Sequence, residues 1–239
     1  MTKVFFESSY ILVIPFYDET SVHSHNMLHV FFGKENLTCD VDGSQISGSL
    51  LILENDVVHK SPKGEIAFFL FVDPTSTFAE LLRKDFLKGK KSYGGNPSKL
   101  CLPYKKESLS KDFIKEEIKK LFGNSSFFKK ENIDSRILLL LDNIDSFKHL
   151  NSKVSELAVF YGYSESYLTH LFKKETGIAL KSYLLMKQFE YVWHEVLKGA
   201  SLTSAAMDAG FSSPSHFSDV CRKLTGISFS KVFEKKADL

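Results

Sequence analysis

Two stretches near the C-terminus share one pattern, GYSESYLTHLFKKETGI at residues 162–178 and GFSSPSHFSDVCRKLTGI at residues 210–227. A short apolar segment with an inner alanine precedes each of them, at residues 154–161 and 202–209. A short helix, a glycine turn and a second helix opened by a serine cap form a helix-turn-helix. In that motif the first helix supports the second, whose exposed side can enter a DNA major groove. The repeat therefore predicts two helix-turn-helix units that bind duplex DNA.

The second helix of each unit is predicted to be amphipathic. When the two copies are aligned at Thr-Gly-Ile, their apolar residues fall at i, i+3 and i+4. These aligned pairs are Leu168 with Phe217, Leu171 with Val220, and Phe172 with Cys221. Cationic residues follow the opposite face and are expected to lie near phosphates, namely Lys173, Lys174, Arg222 and Lys223. The alternative is that these cations only solubilise a helix end, where the helix dipole favours positive charge.

The segment between the two units reads as one helix, Leu180–Leu197. About 18 residues at about 1.5 Å per residue give a length of roughly 27 Å. A rigid spacer of that length can hold two recognition helices about one DNA turn, roughly 34 Å, apart. The spacing therefore favours two recognition helices that contact one face of the same duplex.

These features resemble a known family over residues 136–233. The region is similar to the DNA-binding domain of AraC/XylS-type transcription regulators, in which a long helix joins two helix-turn-helix units. The resemblance implies that bases are contacted by Ser166, Thr169, His170, Ser215 and Ser218. The alternative is that these exposed polar side chains are merely solvated. Asp219 departs from the pattern, because the family commonly has Arg or Lys there and a carboxylate repels phosphate, although it can accept from a cytosine amine.

Charge is distributed unevenly along the 239 residues, although the formal net charge is only +2. Residues 1–82 carry 4 Lys and Arg against 11 Asp and Glu, residues 83–133 carry 14 against 6, and residues 134–239 carry 13 against 12. The chain is long enough for separate cores. A nearly neutral DNA reader predicts modest affinity per monomer, because phosphate neutralisation supplies much of the binding free energy. We therefore expect a homodimer, RNA polymerase as a partner, or both.

The N-terminal region has the residue pattern of short strands and turns instead of helices. Short runs rich in Phe, Val, Ile and Leu alternate with turn residues and predict strands, namely residues 4–6, 10–16, 28–32, 37–41, 50–53 and 66–72. Apolar stripes near residues 78–86 and 113–122 predict helices, and a basic loop is expected at residues 88–106. Whether one of these helices pairs two subunits or both pack on the strands is left open.

The predicted fold class is α+β, with a cupin-like antiparallel β-barrel, a helical linker and a C-terminal all-α domain with two helix-turn-helix units joined by a long helix. The cupin assignment rests on similarity to the sensor domains of AraC relatives and on strand spacing. The expected boundaries are 1–75 for the sensor barrel, 76–131 for the linker or dimerisation region, and 132–239 for the DNA-binding domain.

Histidines mark a candidate effector pocket in the barrel, predicted to be formed by His23, His25, Phe31 and His59. Imidazoles two residues apart on a strand share one face, which suits either metal chelation or contact with a polar group of a ligand. His29 follows, but the carboxylate expected after such a pair in metal cupins is absent. We therefore expect no metal and no cofactor, and the histidines are either ligand contacts or structural residues.

Three cysteines without a paired spacing argue against a disulfide framework, and no run of 18 apolar residues predicts a membrane span. The expectation is a cytoplasmic, non-enzymatic transcription activator, with double-stranded DNA as its partner and a small-molecule effector at the barrel. Two alternatives are a regulator controlled by a protein partner or by its own abundance, and a metal-binding cupin enzyme with an accessory DNA-binding module.

Overall fold

The computed structural model describes residues 3–15, 22–24, 26–98, 100, 102–103, 108–123, 133–225 and 229. The chain forms two compact units, the first composed mainly of residues 1–130 and the second of residues 131–222. The expected boundaries at residues 75 and 131 stay a prediction. No helix among the described residues is long and apolar enough to cross a bilayer.

Six strands form one antiparallel sheet in the first unit, in the order β1-β2-β5-β3-β4-β6. They are β1 (Lys3–Phe6), β2 (Tyr10–Ile14), β3 (Leu28–Val41), β4 (Ser44–Leu53), β5 (Ile66–Val72) and β6 (Ser92–Gly95). The predicted antiparallel N-terminal domain is confirmed. Its sheet is open rather than a closed barrel, because within the described residues β1 pairs with β2 alone and β6 pairs with β4 alone.

Two features of this sheet differ from the strand prediction. Residues 28–32 and 37–41 belong to one strand, β3, because the turn-like residues 33–36 form an irregularity at which the register shifts instead of a hairpin. Strand β6 lies inside the expected basic loop and pairs with β4. The two backbones approach closely there, since a Cβ on Gly48 would collide with the backbone of Gly95.

The core of the first unit lies between the sheet and its helices, α1 (Thr77–Leu81), a π-helix (Leu82–Leu87) and α2 (Lys111–Phe122). Phe32 stacks on Phe68 with ring centroids 4.2 Å apart, and Phe122 packs against Phe78 at 5.2 Å. Ile114 and other apolar residues of α2 are buried in this same core. The apolar side of α2 therefore packs on the sheet of the same unit.

The second unit is helical, and its elements are α3 (Ser135–Asp145), α4 (Val154–Phe160), α5 (Glu165–Thr176), α6 (Leu180–Leu197), α7 (Leu202–Asp208) and α8 (Pro214–Thr225). Helix α6 has the bounds predicted for the spacer. Aromatic residues of α6 contact both repeats. Tyr183 packs against Phe172 of α5, and Phe189 stacks on Phe217 of α8. The predicted helical domain with two helix-turn-helix units is confirmed.

A buried ionic cluster fixes α6 to α3. The Lys187 ammonium is 3.0 Å from Asp145 Oδ1 and 3.0 Å from Glu190 Oε2, and the Tyr183 hydroxyl donates to Asp145 Oδ1 at 2.6 Å. Lys187 is only 7% exposed. Removing one member would leave a largely buried charge without its partner, so the cluster holds the spacer helix in a defined orientation.

Candidate nucleic-acid interface

The first repeat, α4 and α5, has the local geometry that its sequence predicts. The turn between the helices contains Gly162 at φ +74°, a backbone conformation that favours glycine. Ser164 caps α5 by accepting a hydrogen bond from the amide of Tyr167 at 3.2 Å. The inner stripe of α5 is buried, as the periodicity predicts, and consists of Leu168, Leu171 and Phe172. The opposite side of α5 is consequently turned away from the core.

That opposite side carries the predicted readers of the first repeat. Ser166 and His170 are exposed, whereas Thr169 is half-buried. The Thr169 hydroxyl lies 2.9 Å from the carbonyl of Glu165 and 3.0 Å from that of Ser166, and it donates to this backbone. The Thr169 hydrogen is thus engaged within the helix. Its methyl group and the lone pairs of its hydroxyl oxygen take no part in that donation.

The second repeat, α7 and α8, is built in the same way. Ser213 accepts a hydrogen bond from the amide of His216 at 3.0 Å, behind the Pro214 that opens α8. Phe217, Val220 and Cys221 form the buried stripe. On the other side of α8, Ser215 and Asp219 are exposed and Ser218 is half-buried. The structure therefore places both predicted readers of α8 on its outer side.

The turn of the second repeat is tighter than that of the first. Gly210 has φ +94°, and a Cβ there would collide with Oδ1 of Asn151. The Asn151 amide donates to the carbonyl of Asp208 at 3.0 Å, so it ties this turn to the segment before α4. Glycine at position 210 is therefore favoured by the backbone conformation, and a larger residue would also displace the Asn151 side chain.

The predicted phosphate contacts lie beyond the reading faces. Lys173 and Lys174 are exposed in the last turn of α5, where Lys174 is 3.9 Å from Glu175. Arg222 is exposed on α8, and the side chain of Lys223 lies outside the described residues. Asp219 precedes these cations by about one helical turn and lowers the positive charge of the second repeat.

Two hollows border the N-terminal half of α5. The α5–α6 hollow has a volume of about 490 Å³ and is lined by Glu165, Ser166, Thr169, His170, Lys173 and residues 179–181. The α4–α6 hollow has a volume of about 400 Å³ and is lined by Leu150, residues 152–155, Glu165, Lys181, Leu184 and Gln188. The predicted readers of α5 thus form one wall of a concave surface. Sequence reasoning missed Lys153 and Lys181, whose only sequence signal is a cationic side chain beside a predicted helix start.

Of the predicted effector residues, His23, Phe31 and His59 are buried in the first unit, and His29 lies buried beside them. Ring centroids are 4.4 Å apart for His23 and His59, and 4.7 Å apart for His29 and Phe31. His25 lies outside the described residues. We call His23, His29, His59 and Phe31 the histidine cluster. The His59 ring lies near all three of the other rings, with centroids 4.4 Å from His23, 5.0 Å from His29 and 6.5 Å from Phe31.

Hydrogen bonds fix the tautomer of His59. Its Nδ1 is 2.9 Å from the carbonyl of Val57, which can only accept, so Nδ1 donates. The neutral ring therefore accepts at Nε2, and His29 Nδ1 lies 3.0 Å away as the donor. Burial lowers the pKa of His59 to about 4, the bond to Val57 opposes that shift, and the charge of a protonated His23 adds to it. His59 is neutral at pH 7.

Comparison with known proteins identifies the C-terminal fold. Residues 157–235 match the family model described as a helix-turn-helix domain. Among curated proteins, no sequence matches the chain significantly. The C-terminal domain of AraT, a response regulator from Geobacillus stearothermophilus, has a TM-score of 0.41 at 19% identity, covering 44% of this chain and 89% of that one.

Solved structures of ToxT from Vibrio cholerae share the architecture of the whole chain. The unsaturated fatty acid-bound wild type gives a TM-score of 0.53 at 13% identity, with 98% of both chains covered. The apo form of a ToxT variant gives 0.54 at 13% identity, covering 95% of this chain and 98% of that one. The predicted order of an N-terminal antiparallel sheet followed by a helical DNA-binding region is confirmed. Residues 157–235 therefore belong to a helix-turn-helix domain family, and the chain as a whole shares its fold with the ToxT structures.

Proposed function

We propose that this chain is a transcription regulator that binds a specific duplex sequence through the outer sides of α5 and α8. The observation that carries the proposal is the pairing of buried inner stripes with exposed polar outer sides in both repeats, with α6 between them. In a helix-turn-helix the outer side of the second helix is the one that meets base edges. Packing alone does not require the second helix of both repeats to carry the same serine cap and a polar outer side.

The side chains on the outer sides of these helices have two proposed roles. Base edges are contacted by Ser166, Thr169, His170, Ser215 and Ser218. Phosphates are contacted by Lys173, Lys174, Arg222 and Lys223. Phosphate contacts fix the register of the protein on the duplex, whereas base contacts provide sequence preference. We assign the main share of base reading to α5, because α8 carries Asp219 on its outer side.

The N-terminal unit is proposed to sense a small-molecule effector at the histidine cluster. Two observations support this role: buried imidazoles lie beside aromatic rings, and ToxT, which shares the fold, has been solved with an unsaturated fatty acid bound. An apolar acid is accordingly the first ligand class to test. Such a ligand would act by binding one arrangement of the regulator better than another, which shifts the population toward it.

Occupancy of an operator is proposed to depend on a second copy or on RNA polymerase, with activation as the output. Residues 134–239 carry 13 cationic against 12 acidic side chains, so the electrostatic part of duplex binding is small for one copy. Linking two readers raises the effective concentration of the second contact without new interactions. We infer no catalytic role for the chain, and the cytoplasm is its proposed location.

Selection from random duplex DNA tests the central proposal. The purified full-length chain is incubated with a random duplex pool at low salt, and bound fragments are sequenced over several rounds. We expect enrichment of one motif with two elements about one helical turn apart. A chain that retains no duplex of any sequence at low ionic strength would overturn the proposal. Repeating the selection with a fatty acid present tests the effector, which should change the fraction bound and leave the motif unchanged.

A further inference from the structure

The two hollows beside α5 share one wall. Glu165 and Lys181 line both the α5–α6 hollow and the α4–α6 hollow. Lys173 lines the first of them and Lys153 the second. The N-terminal turn of the principal reading helix therefore stands between two concave surfaces, and each surface has two lysines and one carboxylate on its wall.

The lysines of these hollows differ from others in the second unit. Lys153, Lys173 and Lys181 are exposed, and within the part of the chain that the structure describes none of the three forms an ion pair. By contrast, Lys187 is held by two carboxylates, and Lys198 lies 3.0 Å from Glu195. Unpaired ammonium groups keep their full charge for an external anion. Each hollow is thus a concave surface beside α5 on which two lysines without an ion pair in the described part of the chain outnumber one carboxylate, Glu165.

The occupant that fits these hollows is a DNA strand. A free anion would need only the lysines, but the α5–α6 hollow is walled by Ser166, Thr169 and His170 as well. A molecule seated there touches the reading side chains and the lysines together, as a duplex does when its bases and its phosphates are contacted from one helix. An acidic protein segment would bring the negative charge without the base edges.

We propose that Lys153 and Lys181 are backbone contacts of the first repeat, and that each hollow receives a phosphate of the strand that flanks α5. Lys181 lines both hollows, and Lys173 lines the α5–α6 hollow. This inference rests on the proposed duplex binding of α5 and extends it to residues of α4's leading segment and of the spacer helix. The three lysines position the helix in the groove, and base preference stays with α5.

Salt dependence of binding measures such contacts directly. The full-length protein and the variants Lys181→Gln, Lys153→Gln and the double variant are titrated onto the selected duplex at several salt concentrations between 50 and 200 mM. The slope of log affinity against log salt should become shallower by about one for each single variant and by about two for the double variant. Lys198→Gln, an exposed and paired lysine at the far end of α6, is the matched control, and its slope should stay that of the wild type.

A panel of duplexes with single base-pair changes separates positioning from reading. Lys181→Gln should weaken binding to every duplex of the panel by the same factor. If Lys181→Gln lost its preference at one base pair alone, the backbone role of Lys181 would be overturned. The proposal would also be overturned if the wild type bound the duplex and neither single variant changed the salt slope. A wild type that binds no duplex would instead refute the proposed function itself. Circular dichroism melting checks that the exposed-site variants remain folded.

Discussion

The hydroxyl of Thr169 donates to the backbone carbonyl of Glu165, with the two oxygens 2.9 Å apart. The hydroxyl hydrogen is therefore used inside α5 and is not offered to DNA. As a proposed reader, Thr169 would present to a base its methyl group, which suits the methyl of thymine, and the acceptor lone pairs of its hydroxyl oxygen. The proposed base contact of Thr169 is therefore mainly apolar, through its methyl group, and does not use the hydroxyl as a donor.

Thr169→Val should preserve binding to the selected duplex within about twofold, because both γ positions stay filled and an i−4 back-bond is helix-neutral or slightly unfavourable. Thr169→Ala should lose roughly 1 kcal/mol of preference at one base pair. Fluorescence anisotropy with a panel of single base-pair changes measures both. If Val is as damaging as Ala, the hydroxyl lone pair and not the methyl group contacts the base.

His170→Ala should relax sequence preference at one or two positions by roughly 1 to 3 kcal/mol, since an exposed imidazole on the outer side of α5 can bond to a base edge. The same duplex panel serves as the readout. The matched control is His216→Ala, because His216 is an exposed histidine on α8 whose Nδ1 lies 3.1 Å from the Ser212 hydroxyl. Equal weakening on all duplexes would show that His170 contacts the backbone only.

Asp219→Arg should tighten duplex binding generally and steepen its salt dependence by about one phosphate contact, because a carboxylate on the outer side of α8 is replaced by a cation. Asp219→Asn, which removes charge without adding any, should give a smaller gain. The salt titration described for the lysine variants measures both effects. No change in either variant would place this side of α8 away from the phosphates.

The histidine cluster should make the first unit acid-sensitive. The folded-state pKa of His59 is about 4, below the ordinary value of about 6.5, so its unfolded form gains a proton first as the pH falls. The stabilising contribution is complete above about pH 6.5 and is lost between about pH 6.5 and 4, at a cost of roughly 3 kcal/mol. A protonated His59 would also bring a second donor against His29 Nδ1.

Hydrogen exchange of β3 at pH 7 and pH 5, corrected for the intrinsic pH dependence of exchange, measures this effect. The protection of the wild type should fall on acidification, and that of His59→Gln should change less, whatever its absolute stability. His216→Gln, at an exposed site in the other unit, should behave like the wild type. If His59→Gln lost as much protection on acidification as the wild type, titratable groups other than His59 would cause the acid sensitivity.

The two turn glycines should respond differently to alanine. Gly162→Ala should cost about 1 kcal/mol, because φ is +74° but no atom lies within 4 Å of the added methyl. Gly210→Ala should cost more, since the methyl also displaces Asn151 from its bond to Asp208. Urea unfolding followed by the fluorescence of Trp193, which lies in the second unit, compares the two. Equal costs would mean that Asn151 moves aside freely.

Much of the second unit could be predicted because its signals are local. Caps at Ser164 and Ser213, the i, i+3, i+4 stripes and the bounds of Leu180–Leu197 follow from interactions between residues close in sequence. The sheet was harder to predict. Residues 33–36 carry turn chemistry yet lie within β3, and Ser92–Gly95 becomes a strand because β4 offers it an edge.

The amino-acid sequence by itself determined the repeated helix-turn-helix, the spacer helix and the side chains on the outer sides, because helix periodicity and capping depend on neighbours within about four residues. The tertiary structure alone decided which distant residues meet. It brought His23, His29 and His59 into one buried cluster and placed Lys153 and Lys181 around the start of α5. Contacts of this kind depend on how strands register and helices cross, and no local pattern encodes that geometry.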